Sequence, residues 1–498
     1  MSMPHDTAAL NPELQKTLAD LRALVHQAAH DGTAVHEVER AIWEQVLRIG
    51  RQTLQLFFTL LGSGDQGATV RLPDGRSLDR LPELHGRRYV SIFGPFALRR
   101  TAYGSREGQK IEFVPLDNRL QLPAGAFSYV LQDWDQALCA EGAFGQVNVT
   151  IARLLGLQQS VDSLEQMNHE MAEAATPFRL NRPLPPAAEE GEVFVASADG
   201  KGVVLRRGAE DPAPPAYRTK GDKASHKRMA TVGTVYSVDR YVRTPEQVVA
   251  ALFRDGPRPE EGRPRPRHKQ VWASLPQAGV PVSGMEAVFV WLLWELCRRN
   301  PGRAKEVVYL SDGQEALWGA QEQYLGGRCR VGILDLLHVT PRLWQAAHVF
   351  HPEKSAAAEA FVRERLVRVL RGQVASVIQG LRVMGGRRTL TAAKRKALCE
   401  VCNYLEKNQG RMHYDEYLAK GYPIASGVIE GACRHLVKDR MERAGMHWTI
   451  PGAQAMLEVR SVYVSGQWEE YQAYRIARET ERLYPYREAA DPQLAMAG

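Results

Sequence analysis

The sequence predicts an α/β protein: a mixed core interrupted by an all-α insertion, behind a mainly helical N-terminal module that contains one β-hairpin. Three observations predict it. After a proline-rich stretch at 177–190, the pattern changes from helical periodicity to short apolar runs. Those runs follow the order strand, strand, strand, helix, strand, helix, strand. A long basic helical stretch at 340–420 then separates this core from its last segment. The order is the chain order of an RNase H-like fold, in which the first and fourth strands lie side by side.

Each element has its own signal. In the N-terminal region, 1–80, residues 12–61 read as two helices. Val35, Val38, Ile42, Val46, Ile49 and Leu56 recur at helical spacing, a stripe suited to a core or to a dimer interface. Residues 81–176 read as a DNA-binding module. A hairpin at 88–103 breaks at Gly94-Pro95-Phe96, with its arginines expected mostly in solvent. Helices at Thr150–Leu155 and Ser160–Met167 flank Gly156, a helix-turn-helix-like unit. Such a unit can lay its second helix in a major groove, although this one is not basic. Pro177, Pro183, Pro185 and Pro186 mark the linker.

The first part of the core, 191–339, begins with a strand expected to end at Asp199. Strands at Met229–Val238 and Val271–Leu275 follow, then a helix at Glu286–Arg299 and a strand ending at Asp312. A helix at Gln314–Tyr324 and a strand at Cys329–Leu334 complete it. The insertion at 340–420 carries Arg363, Arg365, Arg368, Arg371, Lys394, Arg395 and Lys396. The final part, 421–475, holds Glu430, and 476–498 reads as a tail.

Bulk properties narrow the function classes. A hydrophobic fraction of 44% excludes a disordered chain, and a formal net charge of +7 favours a polyanionic partner. Six scattered cysteines are too few for a disulfide framework and fit a reducing compartment. The lone Cys399-Glu400-Val401-Cys402 has no second pair to complete a zinc site. The N-terminus is polar and acidic, without a signal peptide, and the longest apolar run, Ala287–Trp294, cannot span a bilayer. A soluble protein of the prokaryotic cytoplasm, associated with the nucleoid and not with membrane, is expected.

Asp199, Asp312 and Glu430 are the candidate catalytic and metal-binding residues. Two acids at strand ends and one on a later helix can converge on two Mg2+ ions, for which Mn2+ may substitute. Cations about 3.5–4 Å apart activate a nucleophile and stabilise a leaving oxygen in phosphodiester chemistry. Fold order brings Asp199 and Asp312 together across 312 − 199 = 113 residues. Asp335 rivals Asp312, since both end apolar strands and precede helices; Glu442 is the fallback for Glu430. Lys220, Lys223, Lys227 and Arg228 cluster in an expected loop and are candidates for DNA contact. Arg434 and Lys438 follow Glu430 at i+4 and i+8, on its helical face, where they could hold phosphates. Trp448 could stack on an unpaired base or sit in the core.

At these residues the chain resembles insertion-sequence transposases of the ISKra type, a DDE group related to the Mutator-like transposases. The carriers are Ala198-Asp199-Gly200, Leu310-Ser311-Asp312-Gly313, the segment Ile333 to Val339, Ser426-Gly427-Val428-Ile429-Glu430-Gly431 and Arg443-Ala444-Gly445-Met446-His447-Trp448. The resemblance covers about residues 80–475 and includes Lys269–Leu275. It implies a DNA transposase that binds the element's terminal inverted repeats, cleaves there and transfers 3′ ends to target double-stranded DNA, as a homodimer or higher oligomer. It also implies an auxiliary role for Asp335 and His338, which match a separate acid-x-x-His motif after the second acid. Relatives often carry paired cysteines after the hairpin; Tyr103 to Gln109 has none, so no metal is expected there. Two other classes remain open: a non-catalytic DNA-binding protein derived from a transposase, and a nuclease of the same fold without strand transfer.

Overall fold

The computed structural model describes residues 12–487 apart from 106–109, 207–226, 257–261, 277–278, 280 and 444. The chain divides into two units: Met1–Glu170 with Trp468–Gly498, and Met171–Gln467.

In the first unit, helices α1 (Pro12–Asp31) and α2 (Val35–Leu61) pack together. Their apolar stripe is thinly covered: Phe58 is the buried residue of α2, while Val35, Trp43, Val46, Phe57 and Leu60 are exposed. Strands β1 (Thr69–Arg71), β2 (Ser77–Arg80) and, later, β5 (Tyr103–Gly104) form a small sheet; β3 (His85–Ser91) and β4 (Gly94–Arg100) form the hairpin. The hairpin turns at Ile92-Phe93, two residues before the expected break. Ser91 lies opposite Gly94, and the Ser91 hydroxyl accepts from Phe93 N (3.0 Å). Pro95 and Phe96 therefore belong to the strand, where Pro95 faces Val90. Arg100 is not in solvent. It shares the buried Asp117 carboxylate with Arg87, which lies 2.8 Å away.

Helices α3 (Pro115–Leu120), α4 (Tyr129–Glu141), α5 (Phe144–Leu155) and the first half of α6 (Val161–Asn181) follow; α6 counts with the second unit from Met171. Gly156 caps α5 in the left-handed region, φ +67°, so the predicted helix-Gly-helix break is present. The start of α6 exposes Asp162 and Gln166 rather than basic groups. Pro177 lies inside α6, so the linker is shorter than expected. The predicted tail is also corrected: the last helix, Trp468–Leu483, belongs to this unit. Trp468 Nε1 donates to Asp133 Oδ1 (2.6 Å), and Arg475 donates to Gln132 Oε1 (2.9 Å).

The second unit is built on a five-stranded mixed sheet. Its elements are β6 (Val193–Val204), β7 (Lys227–Val238), α7 (Pro245–Phe253), β8 (Arg267–Ser274), α8 (Gly284–Arg299), β9 (Glu306–Ser311), α9 (Glu315–Ala320) and β10 (Val331–Leu334). The order is β10-β9-β6-β7-β8: β6 runs antiparallel to β7 and parallel to β9, so the first and fourth strands are neighbours. The pleat sends alternate residues to two cores. Phe194, Ala196, Val307 and Tyr309 meet Val288, Phe289 and Leu292 of α8. Val193, Val195, Val308 and Leu310 meet a helical group formed by α10 (Leu336–Phe350), α11 (Ala356–Leu370), α12 (Val374–Gly386), α13 (Ala392–Asn408) and α14 (Tyr414–Ala419). Three short or capped helices end the unit: α15 (Gly427–Ala432), α16 (Asp439–Met441) and α17 (Ile450–Val464).

Two features depart from the expected order. Strand β6 does not stop at Asp199 but continues to Val204, because β7 pairs with it through Val204 and Lys227. Lys227 and Arg228 are thus strand residues, not loop residues. Helix α7 interrupts the run of three strands. Its start is a capping box of Thr244 with Gln247, helped by Pro245 at the first turn.

Asp135, on α4, is fully buried, and Gln159 Nε2 donates to its Oδ1 (3.1 Å). Burial raises its carboxyl from 3.8 to about 7. A raised acid stabilises fully below the unfolded value, and that contribution is lost as pH rises through the folded one. Asp135→Asn should therefore raise the melting temperature more at pH 8 than at pH 4. Equal shifts at the two pH values would contradict this.

Candidate functional site

Register sets the site. Ala196 on β6 lies opposite Tyr309 on β9, an offset of 309 − 196 = 113. Asp199 and Asp312 share that offset (312 − 199 = 113), so they stand at one level just past the paired stretch. The Ser311 hydroxyl donates to Ala198 O (3.0 Å), holding the strands together one residue before both acids. By strand alternation Asp199 follows Val193 and Val195, and Asp312 follows Val308 and Leu310, onto the face covered by the helical group.

Both carboxylates are partly accessible. Asp199 Oδ1 accepts from Gly200 N (2.6 Å), and its Oδ2 accepts from Cys433 Sγ (3.3 Å). Asp312 Oδ1 accepts from Gln314 N (2.8 Å), while Trp318 Nε1 fixes the Asp312 carbonyl (2.6 Å). Glu430 sits on the first turn of α15, its N–H donating to Ser426 O (3.1 Å). Burial raises the Glu430 carboxyl, and Asp199 is the largest charge acting the same way. Burial likewise raises Asp312, with Asp199 and Asp335 adding to it. The three acids therefore share one field of like charge.

Asp335 and Asp312 part company here. Asp335 has no accessible surface and caps α10. Its oxygens accept from Leu337 N (2.9 Å), Ser426 N (3.1 Å), the Ser426 hydroxyl and His338 Nδ1 (2.9 Å). His338 Nε2 then lies 3.7 Å from Glu430 Oε1. Among the described residues, Asp335, His338 and Glu430 each bring one donor atom within 4.8 Å of the others. Asp199 and Asp312 reach Glu430 through charge but stand outside this tight group. With its oxygens already engaged, Asp335 is suited to holding His338 and the Ser426 turn.

The remaining sequence candidates scatter. Lys220 and Lys223 lie outside the described residues. Lys227 pairs with Glu442 (2.8 Å), which Lys201 also approaches (3.6 Å). Burial pushes Glu442 up, but the two lysines outweigh it and leave the carboxyl low. That engagement takes Glu442 away from the acid cluster. Arg228 is exposed. The helix widens into a π-helical turn over Cys433–Lys438, so α-helical counting from Glu430 does not hold as far as Lys438. Arg434 and Lys438 are exposed, and Arg434 lies 3.5 Å from Asp439. Trp448 is buried: Arg440 covers its ring at 4.9 Å, and its backbone bridges to Leu205. It is a core residue rather than an open stacking platform. Sequence reasoning missed Cys433 and Ser426. Their signals were position alone, one turn after Glu430 and at the start of its helix.

No protein-family model matches the chain, and no curated protein matches it. Among solved structures, it is similar to the Drosophila P element transposase strand transfer complex, with a TM-score of 0.23 and 10% identity over 78% of this chain and 95% of that chain. No helix among the described residues is long and apolar enough to cross a membrane.

The hydrogen bond to Asp335 raises His338 above its ordinary 6.5, against burial, which lowers it. The pair stabilises fully below pH 6.5, and its contribution is lost as pH rises through the folded value. Asp335→Asn should lower the His338 midpoint in an NMR titration and cost more stability at pH 6 than at pH 9. An unmoved midpoint would remove Asp335 as the holder.

Proposed function

We propose that this chain is a metal-dependent DNA transposase of the DDE group, ISKra type, acting on the ends of its own element. One observation carries the reading: two acids at one register level on parallel neighbouring strands, coupled by charge to a third on a later helix. The strand order β8-β7-β6-β9-β10 supports an RNase H-like core, since it is the 3-2-1-4-5 order in chain sequence.

The donor set fits hard divalent cations. Asp199, Asp312 and Glu430 offer carboxylate oxygens, partly accessible and mutually repelling, and a cation would relieve that repulsion. These three residues would hold two Mg2+ ions, with Mn2+ able to replace them. Bound there, the ions supply nucleophile activation and neutralise charge on the transferred phosphoryl group. Asp335 orients His338 through Nδ1, leaving Nε2 beside Glu430 to hold or pass a proton. Water adds to the phosphorus at the element end as the 3′ oxygen leaves as a hydroxyl. That hydroxyl then attacks a target phosphodiester, exchanging one P–O bond for another without a covalent enzyme intermediate. The first unit is assigned to the terminal repeats, with Arg88 and Arg99 among its exposed basic groups. Joining two ends requires a dimer or higher oligomer.

A supercoiled plasmid carrying the DNA that flanks the chain's own gene tests this. In Mg2+ the protein should cut at the repeat ends and join a pre-cut end to a second plasmid. Asp199→Asn, Asp312→Asn and Glu430→Gln should each abolish cutting while duplex binding persists. Cutting without joining would reassign the chain to a nuclease without strand transfer. Full activity in Asp312→Asn would refute the ligand set.

A further inference from the structure

The helical group supplies two side chains to the edge of the acid cluster, and neither has an acceptor that explains it. Tyr404, on α13, lies over the turn that follows Asp312. A Cβ on Gly313 would stand 2.6 Å from the Tyr404 ring and 2.9 Å from its hydroxyl, so glycine is what lets the phenol approach. The hydroxyl makes no hydrogen bond among the described residues. Burial raises it to about 12, against the lowering effect of Arg342, so at neutral pH it keeps its proton and can donate.

The Arg342 guanidinium lies over this ring, 4.7 Å from the centroid. Arg342 is four residues after His338 on α10, which puts the two on one helical face. Among the described residues its one hydrogen bond is a long contact with Gln345 Oε1 (3.3 Å), and no carboxylate pairs with it. Nearby cations are engaged differently: Lys407 is paired with Glu315 at 2.8 Å, and Arg411 lies 4.2 Å above the Trp318 ring. A half-buried guanidinium and a protonated phenol at the Asp312 edge of the site have no anionic oxygen paired with them among the described residues. The acids themselves repel one, so a separate cationic donor is needed to bring a phosphodiester to them.

Resting on the function proposed above, we propose that Arg342 and Tyr404 form a phosphate-binding edge of the acid site. They hold a non-bridging oxygen of the DNA backbone next to the bond being cut. The planar guanidinium suits two phosphate oxygens, and the phenol adds a third donor. The all-α insertion thereby contributes substrate contacts as well as separating Glu430 from the sheet in sequence.

Tyr404→Phe, Arg342→Gln and Arg342→Lys in the full chain test this on the same flanking-sequence plasmid and on a labelled duplex of that sequence. Tyr404→Phe keeps the ring above Gly313, so its melting temperature should not move, while cutting slows about ten-fold. Arg342→Gln should slow cutting and reduce the slope of log affinity against log salt by about one. Arg342→Lys should restore the slope without restoring the rate, since charge returns but the fork does not. Wild-type rates and slopes in Tyr404→Phe and Arg342→Gln would overturn the proposal. If the wild-type chain cuts in neither Mg2+ nor Mn2+, the transposase reading fails by itself. The Arg342→Gln salt slope still decides this one: a fall of about one supports the contact, and an unchanged slope overturns it.

Discussion

The parallel pairing of β6 with β9 is the constraint on which the site depends. It turns a separation of 113 residues into neighbouring strand positions, and it does so with little tolerance. A one-residue slip would turn either acid to the opposite face, against α8. The Ser311-to-Ala198 bond fixes the register one residue before the acids. Behind the sheet, Gly233 lets α8 press close, since a Cβ there would stand 2.6 Å from Val288. At the far end of α8, Arg299 donates twice to the buried Glu190 (2.8 Å each), which also accepts from Ser237. Removing either member of such a pair leaves an uncompensated buried charge, a cost of about 3–5 kcal/mol. The sheet is thus clamped on the face opposite the acids.

That arrangement creates an electrostatic problem at the strand ends. Asp199, Asp312, Asp335 and Glu430 crowd one region, and burial makes the charge of Asp312 and Glu430 harder to carry. The structure resolves part of it internally. Asp335 is surrounded by donors from α10, Ser426 and His338, so its charge is matched by the fold itself. Glu442 is matched by Lys227 and Lys201. Asp199 and Asp312 have no lysine or arginine paired with them among the described residues, and Glu430 has only His338, 3.7 Å away. Partly accessible carboxylates crowded together, with Asp312 and Glu430 both raised, are the kind of group that a divalent cation stabilises.

The legible parts of the sequence were those written in strong local patterns. Apolar runs closed by Asp199 and Asp312 marked the strands, and the order of runs placed the first beside the fourth. The stretch at 340–420 was read as a basic all-α insertion, and helices α10 to α14 fill it. Less legible were features decided by tertiary pairing. Nothing local to Gly200-Lys201-Gly202 says that β6 continues; the partner residues Lys227–Thr231 impose it. Gly94-Pro95 reads as a turn, but the register set by Ser91 moves the turn two residues earlier. Pro177 and the last helix were misjudged because neighbouring contacts override a local breaker or a polar composition. Helix α7 was legible in principle, since Thr244-Pro245-Glu246-Gln247 is a helix-start signature. Asp312 was preferred to Asp335 on fold order, since the fifth strand lies one step further from the first, and β10 does sit beyond β9 from β6; the donors that the distant Ser426 brings to Asp335 were not legible.

The central claim is that Asp199, Asp312 and Glu430 form one divalent-cation site, held by register. Mn2+ titration followed by electron paramagnetic resonance tests it most directly. Two Mn2+ per chain are expected, with the spin coupling of ions about 4 Å apart, and loss of that coupling in Asp312→Asn but not in Glu442→Gln. Uncoupled or absent Mn2+ in the wild-type chain, or coupling that survives Asp312→Asn, would contradict it.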